Sequence, residues 1–414
     1  MSRTLNSKKS VGVFMTFLSG IRGGADVTAM WLIQALCGQY DVTLVTTSQF
    51  DLSFFNNFAG TELDRTDFNI RRIRLIPMPQ AFPMSAIQEP LFQRTARSWA
   101  GEFDLCLSAM NPLDLGVPAA HFVSDFEWLL ELDRNSTPSN ATIQGKKALT
   151  LRRAYLALAA WIQDPSGRDV LRDDILVSNS QWVAAALRAK GIESCAIYPP
   201  VPWVHQEKAW ESRRNDFVWF GRIAPQKKVE QAIEIVARLR NAGMDCGLEI
   251  AGTAVDKEYL RFLSNLARRA GEWVMLRGPV YGADKATYLT QFRYALHTRA
   301  DEPFGITLVE LMKAGCIPFA PNSCGSAEIL NHPALLFATE DEAVGKICSL
   351  IEDAEQTQII RSFLFDRAKL FSTDTFCQSA RALAAGILDG QSSECADLTS
   401  LINSTSGRIG TYGT

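Results

Sequence analysis

The 414-residue sequence predicts an α/β protein made of two doubly wound, Rossmann-like parallel sheets in tandem. Three observations carry this expectation. Short apolar, β-branched runs alternate with helical stretches along most of the chain. A single proline-rich segment interrupts the alternation near the middle. The chain is also longer than one hydrophobic core usually organises, which favours two domains of roughly 150–200 residues.

In the first half the strand-like runs are VGVFMT (11–16), VTLVTT (42–47), IRRIRLI (70–76), DLCLSAM (104–110), HFVSD (121–125) and ILVSNS (175–180). Then comes CAIYPPVPW (195–203), whose Pro199, Pro200 and Pro202 can continue neither a helix nor a central strand. The charged stretch EKAWESRRND follows, and the interdomain linker is placed here. The alternation restarts with DFVWFG (216–221), CGLEIAG (246–252), WVMLRG (273–278), YALHTR (294–299), IPFA (317–320) and LLFA (335–338). These runs predict domains at 1–205 and 206–372, with a helix at 373–390 returning to the first domain. Residues 391–414, rich in Ser, Thr and Gly, read as a flexible tail. Ligands of such sheets sit beyond the carboxyl ends of the strands, so two facing domains would share one cleft.

Composition narrows the function. With 47% hydrophobic and 21% charged residues the chain is an ordinary globular enzyme by composition. A formal net charge of -3 supplies no global field for nucleic acid, and no nucleic-acid partner is expected. Nine scattered cysteines without a C-x-x-C suggest neither a disulfide framework nor a zinc site, and reduced thiols fit the cytoplasm. Lys8 and Lys9 before the apolar run Val11 to Ile21 imitate a secretory signal. The run instead passes straight into a Gly loop and an amphipathic stretch, as a first strand does. No apolar run reaches the roughly 18 residues of a membrane helix.

The most informative stretch is RADEPFGITLVELMKAGCIPFAPNSCGSAEIL, Arg299 to Leu330. Pro303 bars Glu302 from a helical conformation, Gly305 lets backbone approach a ligand, and ITLVELMKA reads as a helix stopped by Gly315 and Pro318. The free N–H groups of that helix start suit a diphosphate. Glu302 and Glu310 invite a glycosidase reading. Even at a helical rise, eight residues put them about 12 Å apart along the axis, about twice the ~5–5.5 Å of a retaining pair. An inverting separation stays open on that sum, but contacts to different parts of one extended donor fit better.

E-P-F-G-I-T-L-V-E resembles the E-x7-E motif of retaining family 4 glycosyltransferases of the GT-B fold, including mannosyltransferase-like members. The resemblance implies that Glu302 lies against the donor sugar and that Glu310 binds the ribose hydroxyls, with Pro303, Phe304, Gly305, Ile306 and Thr307 lining the donor. WFGRIAPQKKVEQAI is similar to the family's G-R-x-x-x-x-K segment, which gives Gly221 to donor binding and Arg222 and Lys227 to catalysis. A guanidinium and an ammonium can neutralise the departing diphosphate without a metal. Lys228 stands where the family commonly has Gly, so which lysine reaches the phosphate is open, with Lys227 favoured. No Asp-x-Asp occurs, and no metal or other cofactor is expected.

SGIRGGADVTAMWLIQAL resembles the family's G-G-A-E loop, with Asp26 for Glu; Gly23 and Gly24 would bring backbone against the donor's distal phosphate or the acceptor. The second strand run, VTLVTTSQ, ends without the acid that a dinucleotide-binding site needs, which counts against an oxidoreductase. His121 matches the place where many family members carry a catalytic histidine beside the donor sugar; the competing reading is a buried, hydrogen-bonded histidine. Asp125 on the same strand face could act as acceptor base. His205, His297 and His332 show no partner pattern. APNSCGSAEI resembles the family's small-residue loop, with Cys324 replacing a common Gly.

Two basic stretches, NIRRIRLIPMPQ and GKKALTLRRAYLALAAWI, the second with Lys146, Lys147, Arg152 and Arg153, suit peripheral contact with the inner face of a membrane or a solvated helix face equally well. The expected activity is retaining transfer of a hexose from GDP-mannose or a UDP-sugar to a glycan or lipid-linked acceptor. Two rivals are a sugar-nucleotide epimerase or hydrolase and a non-catalytic nucleotide-sugar-binding subunit.

Overall fold

The computed structural model describes residues 8–18, 23–75, 85–124, 167–203, 208–390 and 395–406. The chain divides into two compact units. The first comprises Met1–Asn179, Ala184–Pro200 and Asp374–Gly410; the second comprises Ser180–Val183, Val201–Thr373 and Thr411–Thr414.

Among the described residues the first unit holds seven strands: β1 (Ser10–Met15), β2 (Asp41–Thr46), β3 (Asn69–Arg72), β4 (Leu105–Ser108), β5 (Ala119–Val123), β6 (Ile175–Ser178) and β7 (Cys195–Ala196). They pair in parallel in the order β3-β2-β1-β4-β5-β6-β7. Side chains of a strand point alternately to the two faces, and a parallel sheet is covered on both. Accordingly Val11, Val13 and Met15 of β1 join a core with Met30, Ile33 and Leu36 of the helix Gly24–Leu36, while Phe14 packs on the opposite face with Phe92 and Ala96 of the helix Ser85–Ala100. The helix Thr373–Leu388 belongs to this unit, burying Phe376, Leu383 and Ala384 in the first of those cores. Arg381 Nε donates to the Ala35 carbonyl at 2.7 Å, satisfying a carbonyl near the end of the helix Gly24–Leu36.

Two expectations need correction here. The segment 195–203 is not all linker, because Cys195 and Ala196 pair with β6 before the prolines end the ladder. Nor are residues 391–414 uniformly a loose tail: Cys395–Ser406 is a helix that buries Leu398 and Ile402 in the first core. Their spacing of four puts both on one helix face, a stripe too short to register against a Ser/Thr-rich composition.

The second unit holds β8 (Arg214–Phe220), β9 (Leu248–Ala251), β10 (Val274–Gly278), β11 (Phe292–Leu296), β12 (Ile317–Pro321) and β13 (Leu336–Phe337), parallel in the order β10-β9-β8-β11-β12-β13. Strand order reverses between β8 and β11, which run side by side. Loops leaving the carboxyl ends of those two strands diverge to opposite faces and leave a crevice, the usual ligand site of a doubly wound sheet. Twelve of the thirteen strands among the described residues overlap the runs expected from sequence. Asp125 and the basic stretch 145–162 lie outside the described residues, and none of the described helices is long and apolar enough to cross a membrane.

Candidate functional site

The loop after β8 supplies the first half of the site. Gly221 (φ 147°) and Gly252 (φ 150°) occupy backbone conformations that favour glycine, and a Cβ on Gly252 would fall 1.7 Å from the Gly221 carbonyl oxygen. Only paired glycines let the loops after β8 and β9 meet this closely. The chain then makes a one-turn 3-10 helix, Pro225–Lys227, and Lys228 follows in the left-handed region at φ 47°. Such a conformation is costly for a residue with a Cβ, which explains why glycine suits this position. Lys228 is exposed, whereas the Lys227 backbone is pinned from below: Thr298 Oγ1 donates to its carbonyl at 2.7 Å and itself accepts from buried Trp219 Nε1 at 3.0 Å.

The loop after β11 supplies the second half. His297, Thr298 and Arg299 lead out of the strand, and Glu302 turns back so that its Oε2 lies 2.5 Å from Lys227 Nζ. His297 Nε2, buried, stands 3.4 Å from the same oxygen without hydrogen-bond alignment, and Arg299 Nη1 is 4.0 Å from Oε1. Burial opposes ionisation of Glu302, but His297, Lys227 and Arg299 outweigh it and hold the carboxyl well below the usual range. Lys227 is pulled down by burial, partly restored by Glu302, and lowered again by nearby Arg299 and Arg222. His297 is likewise lowered by burial despite Glu302, which favours neutral imidazole. Arg222 is exposed, beside this cluster, and makes no hydrogen bond among the described residues.

Glu302 leads into a helix start shaped by glycine. Gly305 (φ 105°) caps the helix Ile306–Lys313 without a side-chain hydrogen bond. The amides of Ile306 and Thr307 have no intrahelical acceptor and none elsewhere among the described residues. Thr307 Oγ1 lies 3.7 Å from where a Gly221 Cβ would be, so this helix start meets the loop that carries Arg222. Behind it, the Gly325 amide donates to the Glu302 carbonyl at 2.8 Å, and a Cβ there would strike the Pro303 carbonyl oxygen at 2.5 Å. Cys324 sits at φ 52°, again a conformation that suits glycine. One turn into the helix, Glu310 is buried and paired through Oε1 with Lys285 Nζ at 2.6 Å.

The structure thus gathers Gly221, Arg222, Lys227, Glu302, Pro303, Phe304, Gly305, Ile306, Thr307 and Glu310 on two switch-point loops and the helix that follows. Cations stand beside unpaired helix amides here, and both favour an anion. Sequence reasoning passed over His297, Arg299 and Lys285. The signal for the first two was their position at the end of a switch-point strand, five and three residues before Glu302. Lys285 left none, because it comes from a separate helix, Gly282–Leu289.

In the first unit, Gly23 (φ 74°) caps the helix that begins at Gly24, and Asp26 is fully buried in its first turn. His121 takes the setting of the competing reading, a buried, hydrogen-bonded histidine. It is fully buried, with Nε2 2.9 Å from Asp174 Oδ2 and Nδ1 facing the Leu113 amide at 3.5 Å. Arg168 holds the other Asp174 oxygen at 2.6 Å. With both ring nitrogens engaged in packing, His121 as placed has no atom to offer a ligand.

Residues 203–362 match the family model described as glycosyl transferases group 1. Among curated proteins the chain resembles the GDP-Man:Man(3)GlcNAc(2)-PP-Dol alpha-1,2-mannosyltransferase of Dictyostelium discoideum, 25% identical over 236 residues, covering 50% of this chain and 45% of that protein. It also resembles the uncharacterized glycosyltransferase YqgM of Bacillus subtilis (strain 168), 25% identical over 198 residues, covering 45% of this chain and 54% of that one. The chain spans about half the length of the curated relatives it matches. Among solved structures, Anabaena Alr3699/HepE in complex with UDP and glucose superposes with a TM-score of 0.64 at 17% identity, over 91% of this chain and 99% of that one. Two Rossmann-like parallel sheets and the superposition on this neighbour give the chain the GT-B fold, with the group 1 match lying over the second sheet.

Proposed function

We propose that the protein is a retaining, family 4-like glycosyltransferase that moves a hexose from a nucleotide-diphosphate sugar to a hydroxyl of a glycan or lipid-linked acceptor. The observation that carries this reading is the Lys227–Glu302 pair, with Arg222 and Arg299 beside it, next to the unpaired amides of Ile306 and Thr307. In this reading the bond between the anomeric carbon and the β-phosphate oxygen breaks. The acceptor oxygen bonds to that carbon from the same face and its proton passes to the departing phosphate. Arg222, Lys227 and the helix amides stabilise the charge that develops on the diphosphate. Glu302, held ionised, accepts hydrogen bonds from donor-sugar hydroxyls, and Glu310 accepts them from the ribose.

No divalent cation is required where two cations and a helix start already face the leaving group. The donor is GDP-mannose or a UDP-sugar: the Dictyostelium relative is named for GDP-mannose and the Anabaena neighbour for UDP and glucose.

A thermal-shift panel of UDP, GDP, ADP and their sugars tests the donor, because a ligand at 100 times its Kd stabilises by about 2.7 kcal/mol. Transfer assays with and without EDTA follow. Absence of any nucleotide-dependent shift overturns the donor site, loss of turnover on chelation overturns the metal-free chemistry, and free hexose released at the full rate without acceptor points to hydrolysis.

A further inference from the structure

Apart from the Lys227–Glu302 cluster, the first unit carries a cavity of about 380 Å³ at the carboxyl ends of β1, β2 and β3. Its wall is Phe17 from the loop after β1, Thr47 and Ser48 after β2, Arg72, Arg74 and Leu75 at and beyond the end of β3, and Gln88 of the helix Ser85–Ala100. Strand ends of this kind are where doubly wound sheets bind ligands. The loops that form it are tied down: Thr47 Oγ1 donates to the Thr16 carbonyl at 2.5 Å, and the Leu18 amide donates to Ser48 Oγ at 2.8 Å.

The two arginines are exposed, and most of their guanidinium donors are uncommitted to the fold. Ile73 between them is buried and its amide continues the ladder to the Thr46 carbonyl at 2.9 Å, so Arg72 and Arg74 lie on the same side of an extended chain. Arg72 spends only Nε, on the Thr47 carbonyl at 3.1 Å. Its two Nη groups and the whole Arg74 guanidinium have no partner among the described residues, and no carboxylate lines the cavity. Residues two apart on a strand are separated by roughly 6.6 Å, a span that suits the oxygens of a phosphate or pyrophosphate better than a single carboxylate. Arginine forks also match phosphate oxygens in geometry. Phe17 and Leu75 leave an apolar margin for the rest of the molecule.

We propose that this cavity binds a phosphorylated acceptor, with Arg72 and Arg74 gripping its phosphoryl oxygens. The term acceptor rests on the glycosyltransferase reading; phosphate binding by the first unit does not. The test is calorimetric titration of the full chain at low salt with glucose 1-phosphate, geranyl pyrophosphate, glucuronate and glucose. Four proteins are compared: wild type, Arg74→Ala, the double variant Arg72→Ala/Arg74→Ala, and a second-unit control, Arg222→Ala/Lys227→Ala.

At least one of the two phosphorylated probes should bind wild type and the control alike, bind Arg74→Ala and the double variant at least tenfold more weakly, and lose affinity as salt rises. Which of the two binds better tells whether the phosphoryl group arrives on a sugar or on a prenyl chain. Unchanged melting of Arg74→Ala, whose guanidinium has no partner among the described residues, separates lost binding from lost folding. Equal affinity of the arginine variants and wild type, equal binding of glucuronate or glucose, or loss of phosphate binding only in the control would overturn the assignment. Failure of every nucleotide to bind would instead remove the donor site and leave the phosphate result standing.

Discussion

Replacing Lys227 by Met removes the ammonium at the centre of the proposed donor site while keeping most of its buried stem. At the 2.5 Å separation from Glu302, an effective dielectric near 20 makes the attraction about 6–7 kcal/mol. Desolvating two ions costs several kcal/mol each and cancels most of that. The carboxylate left behind is not stranded, because the Arg299 guanidinium stays 4.0 Å from its Oε1. The stability loss should therefore be about 1–2 kcal/mol, below the 3–5 kcal/mol seen when a buried charge loses its only partner. Catalysis should suffer more, since removing one group that stabilises developing charge typically costs about 10²–10³ in kcat. Steady-state transfer at saturating donor measures the second quantity, and denaturant unfolding the first. A kcat within threefold of wild type, in a protein that melts normally, would refute the role given to Lys227.

Acid titration probes the partner of that lysine. The Glu302 pKa is depressed in the folded protein from its ordinary 4.5, so between the two values the unfolded chain binds more protons and stability rises with pH. The stabilisation is whole above pH 4.5 and drains away below it; in Glu302→Gln that part of the acid slope should vanish, and parallel unfolding curves for the two proteins from about pH 5 to pH 2 would disprove it. Lys228→Gly should raise stability by roughly 0.5–1 kcal/mol, the left-handed penalty of a side chain less the flexibility glycine adds, with activity unchanged; a lowered melting temperature would count against the strain. Glu310→Gln should weaken nucleoside diphosphate binding by about 1.5–3 kcal/mol, and the penalty should disappear with 2′,3′-dideoxy nucleotides. An equal penalty for both would place Glu310 away from the ribose.

The alternation of apolar runs and the interruption near Pro199–Pro202 made both sheets legible, because a strand buried on both faces must be apolar throughout and a proline must end it. Glu302, Gly305 and Glu310 were legible for a related reason: one loop and one helix carry them, so their spacing in sequence is their spacing in space. Sequence favoured Lys227 over Lys228, and in the fold it is Lys227 that reaches Glu302. The fold's selection of Lys227 comes from a left-handed backbone at 228 and a hydrogen bond from Thr298, 71 residues away.

Long-range pairing decided the rest. His121 occupies a strand position that suited a catalytic role, yet Asp174, 53 residues on, takes one ring nitrogen and the Leu113 amide faces the other. His297 looked idle until the chain turned Glu302 back upon it, and Lys285 meets Glu310 only because two helices converge. Sequence alone determined most of both sheets and the placing of Glu302, Gly305 and Glu310 on one loop and the helix after it, since those follow from periodicity and local spacing. Which buried charges face each other was settled only by folding, because an ion pair depends on distance in space and leaves no periodic trace along the chain.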